Sequence, residues 1–379
     1  MRSDSVRRLI VFRKRLLAAS ETFIPAQADT VPGWDPLLAG FTWETEGRRL
    51  LADLPTSVLR DHAVLPRFAR RSLGWGFFSK AWESHLSDWQ PELVHAHFGP
   101  DALALIPVVR RLNLPLAVTF HGFDITIDTP VNSYHRRRHE VFAAAQTVFS
   151  VSDFIRERLI ACGCPAEKIV THFIGIDNER FRAPNESERD IPVLFVGRLK
   201  EKKGWRLLLQ AMAEVQARHP HACLHMVGDG PDRRAAETLA EELGVMVTWH
   251  GLLNPDRVAS LMARAQVFCP PSIVAPNGDT EGLGLVNLEA QASGAPTVTF
   301  ASGGVPEGID DGVTGVVVRP TTAPALAGAL SDLLSSPEKL ERMSQAGPKW
   351  IAERFRLDRQ GELLGSHYEE IVERWHARP

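Results

Sequence analysis

Short apolar runs rich in β-branched residues recur along the chain, and a longer segment with apolar positions every three or four residues follows each. In the first half "ELVHAHF" (92–98), "PLAVTFHG" (115–122) and "TVFSVS" (147–152) have the composition of buried strands. Between and after them lie helical patterns, "DALALIPVVRRL" (101–112), "NSYHRRRHEVFAAA" (132–145) and "SDFIRERLIACG" (152–163). The last has Ser152 or Asp153 as its N-cap and Gly163 as its stop. The pattern breaks at "RFRAPNESERD" (180–190), which is polar, charged and carries a proline.

It restarts at "IPVLFVG" (191–197). "HACLHMVGDG", "VMVTWHG", "AQVFCPPS", "APTVTFAS" and "TGVVVRP" follow, again with helical segments between them. Alternating strands and helices with charge-free strands predict parallel sheets covered on both faces. The expectation is α/β with two doubly wound, Rossmann-like domains. The first spans 1–183 and the second 184–350, with closing helices at 323–334 and 338–377. The terminal segment 351–379 is expected to cross back to the first domain.

A length of 379 residues suits two domains, and 44% hydrophobic with 23% charged residues suits folded, globular ones. A formal net charge of -3 provides no global basic field for nucleic acid. Four cysteines (Cys162, Cys164, Cys223, Cys269) are too few for a disulfide framework and lack zinc-site spacing, so reduced thiols in a cytoplasmic protein are expected. In "MRSDSVRRLIVFRKRLLAAS", Arg13, Lys14 and Arg15 interrupt the apolar stretch, which makes a poor signal peptide. No run approaches the roughly 20 apolar residues of a membrane-spanning helix, so any membrane contact is expected from the side.

Ligands of doubly wound sheets bind beyond the carboxyl ends of strands, and with two domains the expected place is a cleft between them. After "PVLFV" come Gly197, Arg198, Lys200, Lys202 and Lys203. Cations beside a helix start make an anion site; a solvated basic turn is the plainer alternative. "VGDGP" (227–231) forms a tight turn with Gly230 before Pro231, and is not a dinucleotide fingerprint; no phosphate-binding P-loop occurs anywhere. "FHGFDI" (120–125) puts His121 and Asp124 just after a strand, where the histidine serves a ligand or simply bonds a neighbouring loop. His95 and His97 alternate on one strand and share a face, leaving open which is core and which rim.

"EGLGLVNLE" sets Glu281 and Glu289 eight positions apart. Spacing alone proves little, since Glu362 and Glu370 repeat it inside the last helix. Its context is different: a Gly-, Asn- and Pro-rich loop feeds a helix that stops at Gly294. The N–H groups of Gly282 to Val286 then become unpaired donors at a helix start, an anion cradle flanked by carboxylates that accept from hydroxyls.

These residues resemble a known family. "EGLGLVNLEAQASGAPTVTFASGGVPEGI" is similar to the E-x7-E region of retaining GT-B glycosyltransferases of the sucrose-synthase-like family 4, and "VGRLKEKKG", "VGDGP", "FHGFD" and "FIGID" occupy the family's order and spacing. The resemblance covers roughly residues 90 to 320. "SETFIPAQ" and "IVAPNGDTEGLG" further resemble bacterial exopolysaccharide enzymes of the colanic acid and amylovoran type.

The family implies a hexose-type transfer from a nucleotide-diphosphate sugar (UDP-, GDP- or ADP-linked) to a hydroxyl of a glycan, lipid-linked saccharide or small molecule. Arg198 and Lys203 would hold the diphosphate, Glu289 the ribose and Glu281 the donor sugar. Backbone N–H groups around Gly282, Gly284, Leu285 and Val286 would meet donor oxygens, and His121 would lie near the reacting sugar. Gly230 and Asp124 belong to the same donor-binding set. Neither cofactor nor metal is implied: with no D-x-D in the chain, the diphosphate charge falls to Arg198, Lys203 and the helix dipole. Two departures stand out. "AASETF" replaces the glycine-rich turn after the first strand, and Ile174 replaces the usual Asn of the "FIGID" segment.

The first domain of such enzymes chooses the acceptor. Segment 67–90, with Trp75, Phe77, Phe78, Trp82 and Trp89, and "HRRRH" at 135–139 suggest a membrane surface or a lipid-linked acceptor at the inner face of the cytoplasmic membrane. The alternative is an aromatic stripe packed inward. Competing functions are a sugar-nucleotide epimerase of the same fold and a non-catalytic nucleotide-sugar-binding protein.

Overall fold

The alternating runs become two all-parallel sheets in a computed structural model that describes residues 6–18, 21–44, 54–62, 80–127, 133–183 and 189–378. The chain divides into two units. One comprises 1–175 together with 357–379, and the other runs from Ile176 to Arg356.

In the first unit the strands are β1 (Arg7–Phe12), β2 (Arg15–Leu16), β3 (Trp34–Gly40), β4 (Thr42–Trp43), β5 (Thr56–Val58), β6 (Leu93–His97), β7 (Leu116–Phe120), β8 (Thr147–Ser150) and β9 (Ile169–Thr171). Seven form one sheet in the order β5-β3-β1-β6-β7-β8-β9, while β2 and β4 pair separately. The interrupted apolar stretch near the N-terminus is the interior strand β1: its last four residues are buried, and Arg7 at its half-buried start pairs with Glu92 at 2.9 Å. The terminal helix Leu357–His376 belongs to this unit, burying Leu364, Tyr368, Ile371 and Val372 in the same core as Leu9, Val11 and Trp34.

In the second unit β10 (Ile191–Val196), β11 (Leu224–Val227), β12 (Val247–Gly251), β13 (Ala265–Phe268), β14 (Thr297–Phe300) and β15 (Gly315–Val318) form a sheet in the order β12-β11-β10-β13-β14-β15. Its core is built from Val193, Phe195, Trp205, Leu208, Met212, Val267, Phe300, Leu326 and Leu330. The expected closing segment 338–377 is two helices, Pro337–Arg354 and Leu357–His376. The break has a physical cause: Phe355 is fully buried and its carbonyl accepts from Ile176 N–H at 2.7 Å, so the outgoing and returning chains bridge side by side.

Both sheets reverse direction of growth once. The reversal lies between β1 and β6 in the first unit and between β10 and β13 in the second. At such a switch point the loops leave in opposite directions and open a crevice beyond the strand ends. Each unit's switch point is where the charged residues collect.

Of the aromatic segment 67–90, residues 67–79, with Trp75, Phe77 and Phe78, lie outside the described residues. The described remainder is mostly inward: the helix Lys80–Asp88 buries Trp82 and Leu86, and Trp89 lies under the Arg8 guanidinium. No described helix is long and apolar enough to cross a membrane.

A charged crevice at the second switch point

Beyond β10 the chain makes the turn Gly197–Gly204, and beyond β13 the loop 269–284. Glycines let three turns meet there. A Cβ on Gly204 (φ +66°) would stand 1.8 Å from the Pro271 carbonyl oxygen, one on Gly228 (φ +124°) 2.1 Å from the Gly197 oxygen, and one on Gly230 2.3 Å from the Leu199 oxygen. Gly230 thus has a packing reason to be glycine, fitting "VGDGP" against the Arg198–Leu199 turn, where Asp232 N–H donates to the Leu199 carbonyl.

The lysines of the first turn reach the acids of the second. Lys203 Nζ lies 2.8 Å from Glu281 Oε1, and Lys202 Nζ lies 2.9 Å from Asp279 Oδ1 and 3.9 Å from Glu281 Oε2. Lys200 Nζ reaches Asp279 Oδ2 at 3.2 Å, and Ser272 Oγ donates to Glu281 Oε1 at 3.4 Å. Burial pushes the Glu281 carboxyl up, but Lys203, Lys202 and Lys200 outweigh it and hold the group at about 2. Its backbone is held as well. Gly304 N–H donates to the Glu281 carbonyl, and a Cβ on Gly303 (φ +56°) would stand 2.1 Å from that oxygen.

Glu281 is followed by Gly284 (φ +80°), which caps the helix Leu285–Ala292 in the left-handed region; a side chain there would meet Asn287 and Val305. The N–H groups of Leu285 and Val286 fall in the first turn, where no intrahelical acceptor exists. Glu289 lies one turn further, partly exposed, and behaves unlike Glu281: burial raises its carboxyl to about 7, with Arg180 and Lys203 offsetting only part of that. One acid is therefore a firm anion and the other is poised near neutrality. Arg198 is exposed and, among the described residues, has no ion-pair partner within 4 Å, leaving its charge available.

The first unit's switch point carries a different cluster. Arg13, just after β1, forks onto Glu21 at 2.7 and 3.0 Å and also bonds Asp101, which accepts from Lys14 N–H at 2.7 Å. The guanidinium stacks on the Phe98 ring, 4.3 Å from its centroid. Where relatives have a glycine-rich turn, Glu21 is therefore buried against Arg13; Ser20 lies outside the described residues. His95 and His97 are both core, 1% exposed, so neither is a rim residue. His95 bonds Tyr368 OH at 2.6 Å and Thr119 Oγ1 at 2.7 Å, tying the terminal helix to β6 and β7.

His97 Nδ1 and His121 Nε2 share a hydrogen bond of 3.0 Å, and His121 Nδ1 is buried with no partner among the described residues. Burial, then neighbouring His95 and Arg13, holds His121 well below its ordinary value, so the ring is neutral. Asp124 is a loop anchor, accepting from the N–H groups of Gly99, His121 and Gly122, with burial raising its carboxyl to about 6.

Thus the structure brings Lys203, Glu281, Gly282, Gly284, Leu285, Val286 and Glu289 onto consecutive turns of one switch point, with Arg198 and Gly230 beside them. His121 and Asp124 lie in the other unit. Sequence reasoning passed over Asp279, Ser272 and the pairing that joins Arg13, Glu21 and Asp101 in a triad. Asp279 had one available signal, an acid two positions before Glu281 in the same loop. The triad had none, because its partners come from three separate segments.

Comparison with known proteins agrees with this layout. Residues 37–180 match the family model described as Glycosyltransferase Family 4, and 177–350 match Glycosyl transferases group 1. WcaL of Salmonella typhimurium, named for colanic acid biosynthesis, is 31% identical over 243 residues, 62% of this chain and 60% of WcaL. The chain therefore spans about three fifths of that relative. A GDP-mannose-dependent alpha-(1-6)-phosphatidylinositol monomannoside mannosyltransferase of Mycolicibacterium smegmatis is 34% identical over 285 residues, 70% of this chain and 74% of the relative. Among solved structures, Anabaena Alr3699/HepE in complex with UDP and glucose superposes with a TM-score of 0.77 at 17% identity, over 96% of this chain and all of that one, a likeness of fold. With both sheets, their switch points and both family models in agreement, the chain belongs to the GT-B glycosyltransferases of family 4.

Proposed function

We propose that the protein is a retaining, metal-independent glycosyltransferase that moves a hexose from a nucleotide-diphosphate sugar to a hydroxyl acceptor. The observation that carries this reading is the largely buried Lys203–Glu281 pair at the foot of the helix Leu285–Ala292, with Arg198, which has no ion-pair partner among the described residues, on the same turn as Lys203 and the near-neutral Glu289 one turn into that helix. A diphosphate needs cations and free N–H groups; Arg198, Lys203 and the helix start supply them. Sugar and ribose hydroxyls need acceptors, and the two glutamates supply those.

Arg198 and Lys203 stabilise the departing diphosphate, doing electrostatically what a metal does elsewhere. Glu281, ionised throughout the neutral range, accepts from a donor-sugar hydroxyl and fixes the sugar's orientation. Glu289 accepts from the ribose, and accepting those bonds favours its charged form. Among the described residues no pair of opposed carboxylates of the glycosidase type is assigned to this crevice, in keeping with transfer on one face of the sugar, where the departing phosphate takes the acceptor's proton. Relatives act with GDP-mannose and one solved neighbour holds UDP and glucose, so donor identity is tested across nucleobases. A polysaccharide or lipid-linked saccharide acceptor, used at the cytoplasmic face of a membrane, follows from the exopolysaccharide relatives. An epimerase or a binding protein of this fold gains no support from a feature of the crevice.

The deciding experiment is a thermal-shift screen against UDP-, GDP- and ADP-hexoses, followed by turnover with the donor that binds. A stabilising donor is expected, with hexose transfer lost in Lys203→Ala. Full turnover by Lys203→Ala or Glu281→Ala would refute the assigned site.

A further inference from the structure

Lys203 cannot meet a diphosphate without consequence for Glu281. Without donor, Lys203 is the nearest counter-charge of a carboxylate that is 13% exposed. A diphosphate drawn to Lys203 brings negative charge beside that carboxylate, and a buried carboxylate that loses its cation takes up a proton. A protonated Glu281 would no longer be a pure acceptor. The crevice holds a second cation in reserve. Lys202, 11% exposed, is bonded to Asp279 at 2.9 Å and lies only 3.9 Å from the other oxygen of Glu281. Asp279 in turn has Lys200 at 3.2 Å. The groups facing Glu281 are Lys203, Lys202, Lys200 and Ser272, with Asp279 behind Lys202.

We propose that Lys202 and Asp279 are positioning residues for an ion-pair exchange. When the donor diphosphate engages Lys203, Glu281 transfers to Lys202, and Asp279 falls back on Lys200. The exchange keeps Glu281 ionised in the donor complex, where it must accept from the sugar. It also sets the resting balance: Asp279 holds Lys202 away from Glu281 until the donor arrives. The inference rests on the reading that Lys203 binds the donor diphosphate.

Calorimetric titration of UDP-glucose, GDP-mannose and ADP-glucose tests it, since none of these diesters carries a phosphate proton that titrates near neutrality. Each binding nucleotide sugar is titrated in buffers of different ionisation heat, between about pH 5.5 and 8, into the full-length protein and its variants. For Lys202→Ala, uptake of up to about one more proton per donor than in the parent is expected, with affinity weakening by up to about tenfold per pH unit between the free and the donor-bound carboxyl values. Lys202→Arg restores the parent profile. Asp279→Asn frees Lys202 for Glu281 before binding, so donor affinity rises by several-fold, the opposite direction to Lys202→Ala. A merely structural role would weaken binding in both and leave proton uptake unchanged.

Proton uptake in Lys202→Ala equal to the parent's, or weaker binding in Asp279→Asn, would overturn the exchange even where Lys203→Ala confirms the diphosphate contact. If Lys202→Ala does not fold, Asp279→Asn decides alone. Undiminished donor affinity in Lys203→Ala, or no binding of any of the three by the parent, overturns the underlying reading and the exchange with it.

Discussion

Replacing Lys203 with alanine should unsettle the second unit before any donor is added. Glu281 is held at about 2 against an ordinary value of 4.5. At about 1.4 kcal/mol per unit, that difference corresponds to roughly 3 kcal/mol of net stabilisation of the charged form. Lys203 is the largest of the three lysine contributions and Lys202 remains nearby, so about 2 kcal/mol should be lost at pH 7. For a unit of about 180 residues this lowers Tm by roughly 4–8 °C.

The sign with pH follows from a depressed carboxyl. The stabilisation is complete above about 4.5 and is lost as pH falls toward about 2, so parent and variant should converge in acid. Urea unfolding read through the buried Trp205 measures the loss. Glu281→Gln, a neutral isostere, should recover most of it when added to Lys203→Ala, because the largely buried charge left with only the more distant Lys202 and Lys200 is gone. A Lys203→Ala midpoint within about 1 °C of the parent at pH 7, or a double variant no more stable than the single one, would refute the buried ion pair as described.

Glu289 predicts the opposite slope. Its carboxyl is raised to about 7, so its contribution to stability is lost as pH rises from about 4.5 through 7; Glu289→Gln should flatten the decline in unfolding free energy between pH 5 and 8 by about 1–3 kcal/mol, measured by urea unfolding. Gly303→Ala forces a methyl to 2.1 Å from the Glu281 carbonyl in a left-handed backbone, and should abolish donor-induced thermal shift while costing several kcal/mol in chemical denaturation. Tyr368→Phe removes a buried 2.6 Å partner of His95 and should cost about 1–3 kcal/mol, seen as faster hydrogen exchange across β6 and the terminal helix. For the membrane proposal, the exposed Arg136 and Arg137 should support co-sedimentation with anionic vesicles at low salt; loss-free binding after Arg136→Glu/Arg137→Glu would sink that role for this helix.

Much of the site was legible as position. Arg198, Lys203, Glu281 and Glu289 each follow a predicted strand or open a predicted helix, and strand ends are where doubly wound sheets bind. The glycines were legible as turns but not as to purpose: Gly204, Gly228 and Gly303 meet backbone atoms of other loops. His95 and His97 share a face by periodicity, yet only the terminal helix covering that face makes both of them core. Arg13 and Arg15, which interrupt the N-terminal apolar stretch, follow directly on β1, because ion pairing of Arg13 with Glu21 and Asp101 and of Arg15 with Glu44 absorbs their charge.

By itself the sequence determined the alternation of strand and helix, hence two parallel sheets, and the residue types that gather at their carboxyl ends. These depend on periodicity and local turn chemistry, which neighbouring residues settle among themselves. Tertiary structure decided where each sheet reverses and what state its charges take. Lys200 and Asp279 are 79 residues apart, and nothing local says that they touch. Two glutamates with the same intrinsic chemistry end up at about 2 and about 7 because both lose water in the crevice but one faces three lysines and the other has less compensation. Desolvation and Coulomb attraction are properties of the assembled crevice, and they turn a spacing of two acids into one permanent anion and one that neutralises near physiological pH.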